Sequence, residues 1–493
     1  MSVPAKATTS WCTNGDLMYY IHSCICIAIM FGFGFLAPVE PLTVMGMKII
    51  GIFLGLLYGW MFVGLIWPSL IGLLALPLCG YMTAKQMLAV SFGDNVVMMM
   101  FFIFIFSAII EECGLSRFIS LWFITRKSVM GKPWLFSFVF LGSVYLLGAL
   151  TSSSPAIIIG WSILYGICGE LGFKKGDKYP IMMVFGIVFA AQMGMSLMPF
   201  KQVPLVSLGA YEKMAGTTID YLTYMLISGV VGILSMVILV FIGKYIFKPD
   251  VEPLRKMNLQ VFDVKSGLVL NKIQKVVMFF LLLLIFLLIV PSVLPKTMWI
   301  SKILSTISGT GVVILLVSIM CFLKVDGKPL MNFKKAENTG VTWGIVLLLA
   351  AVQPVTEALT SKATGFNPFV ISILDPVFGG TSALFFLLFM GVVSILLTNF
   401  CNNGAVAVAL MPIAYTYSQA MGLHPGIIAI IITLGVHIAF MTPAASASSA
   451  LLHGNNEWIN TKSILKIGSY MLVVSYVLII GISLILGKLM FNY

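Results

Sequence analysis

Residues 391–404 read GVVSILLTNFCNNG. The run opens as an apolar helix and then meets Asn399, Cys401, Asn402, Asn403 and Gly404 before the chain turns apolar again. An earlier counterpart, residues 142–154, reads GSVYLLGALTSSS and is followed by Pro155 and another apolar run. Asparagine and serine side chains compete for backbone hydrogen bonds, and Pro155 removes a backbone donor. An unbroken helix through either cluster is therefore disfavoured. Each stretch reads as two short helical arms joined at a polar tip, giving hairpins over 134–170 and 383–421.

The rest of the chain sets the medium in which these hairpins sit. Of 493 residues, 60% are hydrophobic and only 9% are charged, whereas a soluble domain carries about 25% charged residues. So few charges cannot cover a water-exposed surface, and the bilayer must be the solvent for most of the chain. Apolar runs at 17–37, 43–62, 64–80, 95–110, 219–246, 272–293 and 464–487 meet or approach the roughly 20 residues that a membrane helix needs. No alternating segments of about 10 residues, as a membrane barrel would show, are found. The expected fold is an all-α polytopic membrane protein of about 11 transmembrane helices, with two re-entrant hairpins. The run at 17–37 is too long for the apolar core of a signal peptide and reads as a retained first helix. The eight cysteines form no CxxC pair, and the four histidines have no metal-ligand spacing. The cysteines read as packing residues. The net charge of +12 bears on membrane orientation; a nucleic-acid partner is not expected.

The basic residues are concentrated in a central linker, where residues 244–275 hold Lys244, Lys248, Arg255, Lys256, Lys265, Lys272 and Lys275. By the positive-inside rule that linker is cytoplasmic. The two flanking halves share one order: a hairpin with a polar tip, a helix broken at a proline (Met198-Pro199, then Thr442-Pro443), and a final helix. The expected division is an N-terminal segment and first helix over 1–42, a first repeat over 43–246, the linker over 247–270 and an inverted second repeat over 271–493. With the N-terminus cytoplasmic and the C-terminus outside, 21 basic residues fall on the linker's side and 7 on the other. Interrupted apolar segments at matching places in an inverted repeat point to a transporter's binding site. Without a GxxxxGK[ST] loop, the expected mode is secondary active transport.

The polar tips suit that use. A dehydrated cation needs several oxygen ligands, which unwound carbonyls, hydroxyls and amides supply, and helix N-termini aimed inward suit a carboxylate. At this point a resemblance enters. Thr398-Asn399-Phe400-Cys401-Asn402-Asn403-Gly404, followed by Pro412, is similar to the hairpin signature of the divalent anion/sodium symporter family, whose core is Ser-Asn-Thr. Asn402-Asn403-Gly404 falls on that core, and Ser152-Ser153-Ser154 falls on its other copy. Trp343-Gly344 and the aliphatic run after it resemble the family's helix start, and Phe440-Met441-Thr442-Pro443 resembles the segment before its second break. The resemblance implies a homodimeric elevator-type transporter of a di- or tricarboxylate, coupled to sodium, in the plasma membrane of a bacterial cell. It implies substrate contacts at Ser153, Ser154, Asn403, Gly404, Lys201 and Ser446. It implies cation contacts at Ser152, Ser153, Thr398, Asn402, Asn403 and Ala445.

The chain departs from the family pattern where the chemistry would sit. Ser153 stands where the family has asparagine, Pro199-Phe200-Lys201-Gln202 replaces a small Gly/Thr-rich break, and Ser446-Ala447-Ser448-Ser449 replaces Thr-Pro-Pro-Asn. The first cation site is therefore expected to be altered or absent. Three readings of Lys201 stay open: a tethered cation, a partner for the substrate carboxylate, or a side chain reaching the interface. Glu111 and Glu112 read as a helix-end pair rather than a proton relay. Gln192, Gln353 and His437 each read as an interhelical hydrogen bond, and the methionine-rich runs at 97–101 and 193–198 read as packing. Two other functions compete: proton-coupled or exchange transport of a monocarboxylate or oxyanion, and an intramembrane enzyme. The second lacks a supporting His, Asp or Cys arrangement.

Overall fold

The computed structural model describes residues 14–125, 129–256, 269–295 and 297–491. Lys265 of the linker and Lys6, Arg126, Lys127 and Lys296 of the charge count lie outside them. Among the described residues, 11 helices are long and apolar enough to cross a membrane. They include both arms of the first hairpin, Pro133–Leu150 and Ser153–Leu171, and the helix Lys178–Met195 before the first break. The arms of the second hairpin, Ala383–Thr398 and Asn403–Ala420, are not among them. One expected run is shorter than foreseen. Of residues 64–80 only Ile66–Leu78 is helical, with Pro77 in its last turn and Gly80 at φ +83° ending it.

Polar residues start these helices where lipid cannot. Asp94 caps Asn95–Glu112 through the Val96 amide, Asn271 and Gln274 form a reciprocal capping box at Lys272–Val293, and Ser382 caps Ala383–Thr398. The chain forms two compact units, each drawing on both halves of the sequence. One contains the helices up to Ser91 together with Trp343–Phe369, and the other contains Phe92–Thr342 and Val370–Tyr493. Within the first, Val44–Phe62, Ile66–Leu78 and Trp343–Thr360 pack on one another. Gln353 is buried in that unit, and neither of its side-chain polar atoms has a partner among the described residues. The expected interhelical bond is not formed there.

The second unit holds both hairpins and both breaks, and their contacts are reciprocal. The first arm of each hairpin packs on the helix preceding the break of its own half: Pro133–Leu150 on Lys178–Met195, and Ala383–Thr398 on Pro425–Gly435. Each second arm packs on the helix following the other half's break: Ser153–Leu171 on Ala447–Gly454, and Asn403–Ala420 on Gln202–Ala215. Small residues allow the close contacts. A Cβ at Gly194 would lie 2.0 Å from the Tyr145 carbonyl oxygen, and one at Gly435 would lie 2.3 Å from Ser394 Oγ.

Candidate functional site

The first tip is built from the end of Pro133–Leu150 and the start of Ser153–Leu171. The first arm ends with the carbonyls of Leu150 and Thr151 turned to the side chain of Lys201. Its Nζ donates to them at 3.0 and 2.7 Å and to Ser107 Oγ at 3.3 Å. Lys201 is 6% exposed, so the interface reading of this residue is overturned: the acceptors lie inside the unit. The second arm begins at Ser152, whose side chain caps no backbone N–H and donates instead to Glu111 Oε1 at 3.2 Å. Pro155 contributes no N–H either. The first turn of Ser153–Leu171 thus carries amides without a side-chain cap, at the positive end of the helix dipole. Glu111, Thr151, Ser152, Pro155, Lys201 and Gln202 line one cavity of about 280 Å³. Glu111 and Glu112 part company, since Glu112 pairs with Lys335 at 2.7 Å while Glu111 faces this cavity.

The second tip is closed differently. Asn402 caps its own helix, accepting at Oδ1 from the amides of Gly404 at 3.0 Å and Ala405 at 3.2 Å. Thr398 Oγ1 lies 2.9 Å from Asn403 Oδ1 and 2.8 Å from the Val436 carbonyl. Three oxygens therefore converge where a hairpin tip meets a break, and oxygen is the ligand a hard cation takes. Asn399 ties this tip to the broken segment. Its Nδ2 donates to the carbonyls of Ile395 and Ile438, both at 2.7 Å, and its Oδ1 accepts from the amides of Phe440 and Met441.

The two halves meet through serines. Ser448 Oγ, after the second break, donates to Ser153 Oγ at the first tip at 2.8 Å. Ser446 caps Ala447–Gly454 through the Ser449 amide, bonds the Ala439 carbonyl, and receives Gln192 Nε2 at 3.0 Å. Gln192 also donates to the Ala439 carbonyl, so its expected interhelical bond is present. His437 departs from that expectation: its Nδ1 reaches back to the Thr433 carbonyl of its own helical stretch, and its Nε2 has no partner among the described residues.

The expected site residues thus fall into three groups. Ser152 and Ser153 gather with Lys201 at the first tip, and Ser154 occupies the first turn that opens there. Thr398, Asn402, Asn403 and Gly404 form the second tip. Ser446 and Ala445 lie on the second break, and the Ala445 amide bonds the Thr442 carbonyl. Sequence reasoning passed over Ser107, named Ser448 only within the altered second break, read Gln192 as an interhelical bond without placing it at the site, and placed Glu111 at a helix end. Ser107 and Glu111 lie one turn apart on the helix Asn95–Glu112. That spacing of four in an otherwise apolar run is the signal that could have singled them out.

Comparison with known proteins agrees with this architecture. A family model described as citrate transporter matches residues 49–435. The sodium-dependent dicarboxylate transporter SdcS of Staphylococcus saprophyticus is 24% identical over 424 residues, covering 82% of this chain and 78% of the relative. The Na(+)/citrate cotransporter of Rattus norvegicus is 24% identical over 164 residues, which are 33% of this chain and 28% of that protein. Among solved structures, the YdaH transporter of Alcanivorax borkumensis superposes with a TM-score of 0.57 at 13% identity, over 97% of this chain and 98% of that one. MtrF of Neisseria gonorrhoeae gives 0.55 at 12% identity, over 92% and 97%. Both share the fold. Matched through the first tip, both breaks' leading helices and the second tip, this multi-pass membrane protein belongs to the citrate transporter family of secondary transporters.

Proposed function

We propose that the protein carries a small di- or tricarboxylate across the membrane, driven by a sodium gradient, through an elevator-type movement of the hairpin-bearing part. The observation that carries this reading is the uncapped first turn of Ser153–Leu171 opening beside a cavity of about 280 Å³. Its amides and the helix dipole are suited to a carboxylate, and the oxygens of Thr398, Asn403 and Val436 are suited to a sodium ion. The names of the staphylococcal and rat relatives support the same substrate class and ion. We place the protein as a homodimer in a bacterial plasma membrane, as an inverted repeat with its N-terminus in the cytoplasm.

One observation favours a second reading. Glu111 lines the cavity in which the substrate would sit. An ionised carboxylate there opposes an anion, so substrate entry would be linked to a proton on Glu111. That reading is proton-coupled transport of a monocarboxylate or oxyanion.

Uptake of radiolabelled succinate and citrate into proteoliposomes separates the two. Uptake that needs an inward sodium gradient and is insensitive to a proton gradient supports the first reading. Uptake of labelled lactate or sulfate, offered in parallel, that is driven by acid outside without sodium supports the second, with Glu111→Gln abolishing the acid stimulation. No accumulation of succinate or citrate under any gradient overturns the di- or tricarboxylate substrate class.

A further inference from the structure

In each half, a side chain of the broken segment clamps the end of that half's first hairpin arm. In the second half the clamp is neutral: the Thr442 hydroxyl donates to the Asn399 carbonyl. In the first half it is an ammonium, because Lys201 Nζ donates to the Leu150 and Thr151 carbonyls. Ser107 Oγ, on a separate helix, is its third acceptor. A lysine ammonium has three N–H donors and accepts nothing. All three find an oxygen here, so none is left for a substrate carboxylate.

The acceptors are of the kind a monovalent metal ion takes: two successive main-chain carbonyls and a hydroxyl. The carbonyls also belong to a helix C-terminus, whose dipole presents negative charge. A charge held at this depth needs such partners, since an ionisable side chain within a membrane is costly when unpaired. Glu111 lines the same cavity and supplies the nearby countercharge.

We infer that Lys201 is a resident cation: its ammonium occupies the place of a bound monovalent metal ion at the first hairpin tip, so that this half of the protein takes up no coupling ion. Any sodium dependence then belongs to the second tip, where Thr398 Oγ1, Asn403 Oδ1 and the Val436 carbonyl converge. The inference deepens the proposed function by limiting ion stoichiometry, but its test needs no transported substrate.

The test uses the purified full-length protein in detergent, as wild type, Lys201→Ala, Lys201→Met and Lys201→Arg. Thermal stability is compared in sodium chloride, methylammonium chloride and choline chloride, and equilibrium binding of radioactive sodium is counted per protomer. Lys201→Ala empties the oxygen cage. Its melting temperature is expected to fall in choline, to recover by at least half in sodium or methylammonium, and its sodium binding to exceed wild type by one ion. Lys201→Met fills the same space with an apolar chain and is expected to fall without recovery. Lys201→Arg keeps the charge and should show the wild-type sodium count, which keeps the idea open to refutation if the alanine protein does not fold. Equal sodium counts in wild type and Lys201→Ala, or an added sodium ion in Lys201→Arg, would overturn the inference. Failure of dicarboxylate uptake would overturn the proposed substrate and leave these counts unaffected.

Discussion

Ser448 Oγ donates to Ser153 Oγ at 2.8 Å across 295 positions of chain, joining the helix after the second break to the tip of the first hairpin. The bond couples a predicted substrate residue to an element of the opposite half. If the two hydroxyls act as a pair, removing either removes the whole contribution, about 0.5–1.5 kcal/mol for a neutral hydrogen bond. Ser153→Ala, Ser448→Ala and the double variant should therefore melt within error of one another and below wild type, a non-additive double-mutant cycle. Additive losses would mean that each serine is held by something else.

The packing of the first hairpin rests on glycines that no side chain can replace. A Cβ at Gly194 would stand 2.0 Å from the Tyr145 carbonyl oxygen, and one at Gly148 would stand 2.3 Å from that of Ala191. In both cases the obstacle is backbone, so the helices themselves must part. Gly194→Ala is expected to destabilise the protein by roughly 1–3 kcal/mol, the range for an overpacked core, and Gly194→Leu should give no monodisperse peak on size-exclusion chromatography. Gly166→Ala, where nothing lies within 4 Å of the added carbon, is the control and should behave as wild type. Equal behaviour of Gly194→Ala and Gly166→Ala would count against the close contact.

These two features differ in how far the sequence disclosed them. The hairpins could be read because Ser152–Ser154 with Pro155, and Asn399 to Gly404, are polar clusters inside apolar runs, and local chemistry breaks a helix there. The proline-marked breaks were legible for the same reason. Which side chains meet was not legible, since Ser448 and Ser153 are brought together by the reciprocal packing of second arms on post-break helices. Lys201 shows the boundary. Its residue type and its place after a break marked it as a candidate, but only its burial against the Leu150 and Thr151 carbonyls excludes the interface reading. Glu111 and Glu112 do form the helix end that Gly114 signals, but a rotation of one residue on a helix separates a surface ion pair from a cavity wall.

Among the contacts that tie the base of the first hairpin to the loop after the second broken segment, two are unlike in kind. Tyr165 stacks on Trp458 with ring centroids 4.5 Å apart, and the exposed Lys175 pairs with the exposed Glu457. The lysine holds the Glu457 carboxyl below the ordinary carboxylate range. A carboxyl lowered in the folded state stabilises above its unfolded pKa, and that stability is lost as the pH falls through the folded value. Exposed pairs contribute little and are screened by salt. Glu457→Gln should therefore leave the melting temperature at pH 7 nearly unchanged, and the small remaining difference from wild type should vanish once the pH is below the carboxylate range. Trp458→Ala should lower the melting temperature at every pH, because an aromatic pair adds about 0.5–1.5 kcal/mol beyond its buried area. A larger effect from Glu457→Gln than from Trp458→Ala would reverse this ranking.

Asn399 makes the strongest structural demand at the second tip. It is 4% exposed, and its amide uses its full capacity: two donors to the Ile395 and Ile438 carbonyls and two lone pairs to the amides of Phe440 and Met441. Asn399 therefore has no oxygen to offer a cation and acts as the joint between tip and break, unlike Thr398 and Asn403 beside it. Asn399→Ala leaves several buried backbone groups without partners, each worth about 1–3 kcal/mol when orphaned, so a loss of at least about 3 kcal/mol is expected. Asn399→Asp loses both donors, brings a negative charge against two carbonyls, and should be worse. Sodium should not rescue either variant, whereas Thr398→Ala, which removes one of the three converging oxygens, should weaken sodium binding with a smaller loss of stability. Thermal melts in sodium and in choline, read beside sodium binding, decide the matter: recovery of Asn399→Ala by sodium would make this residue a ligand rather than the joint.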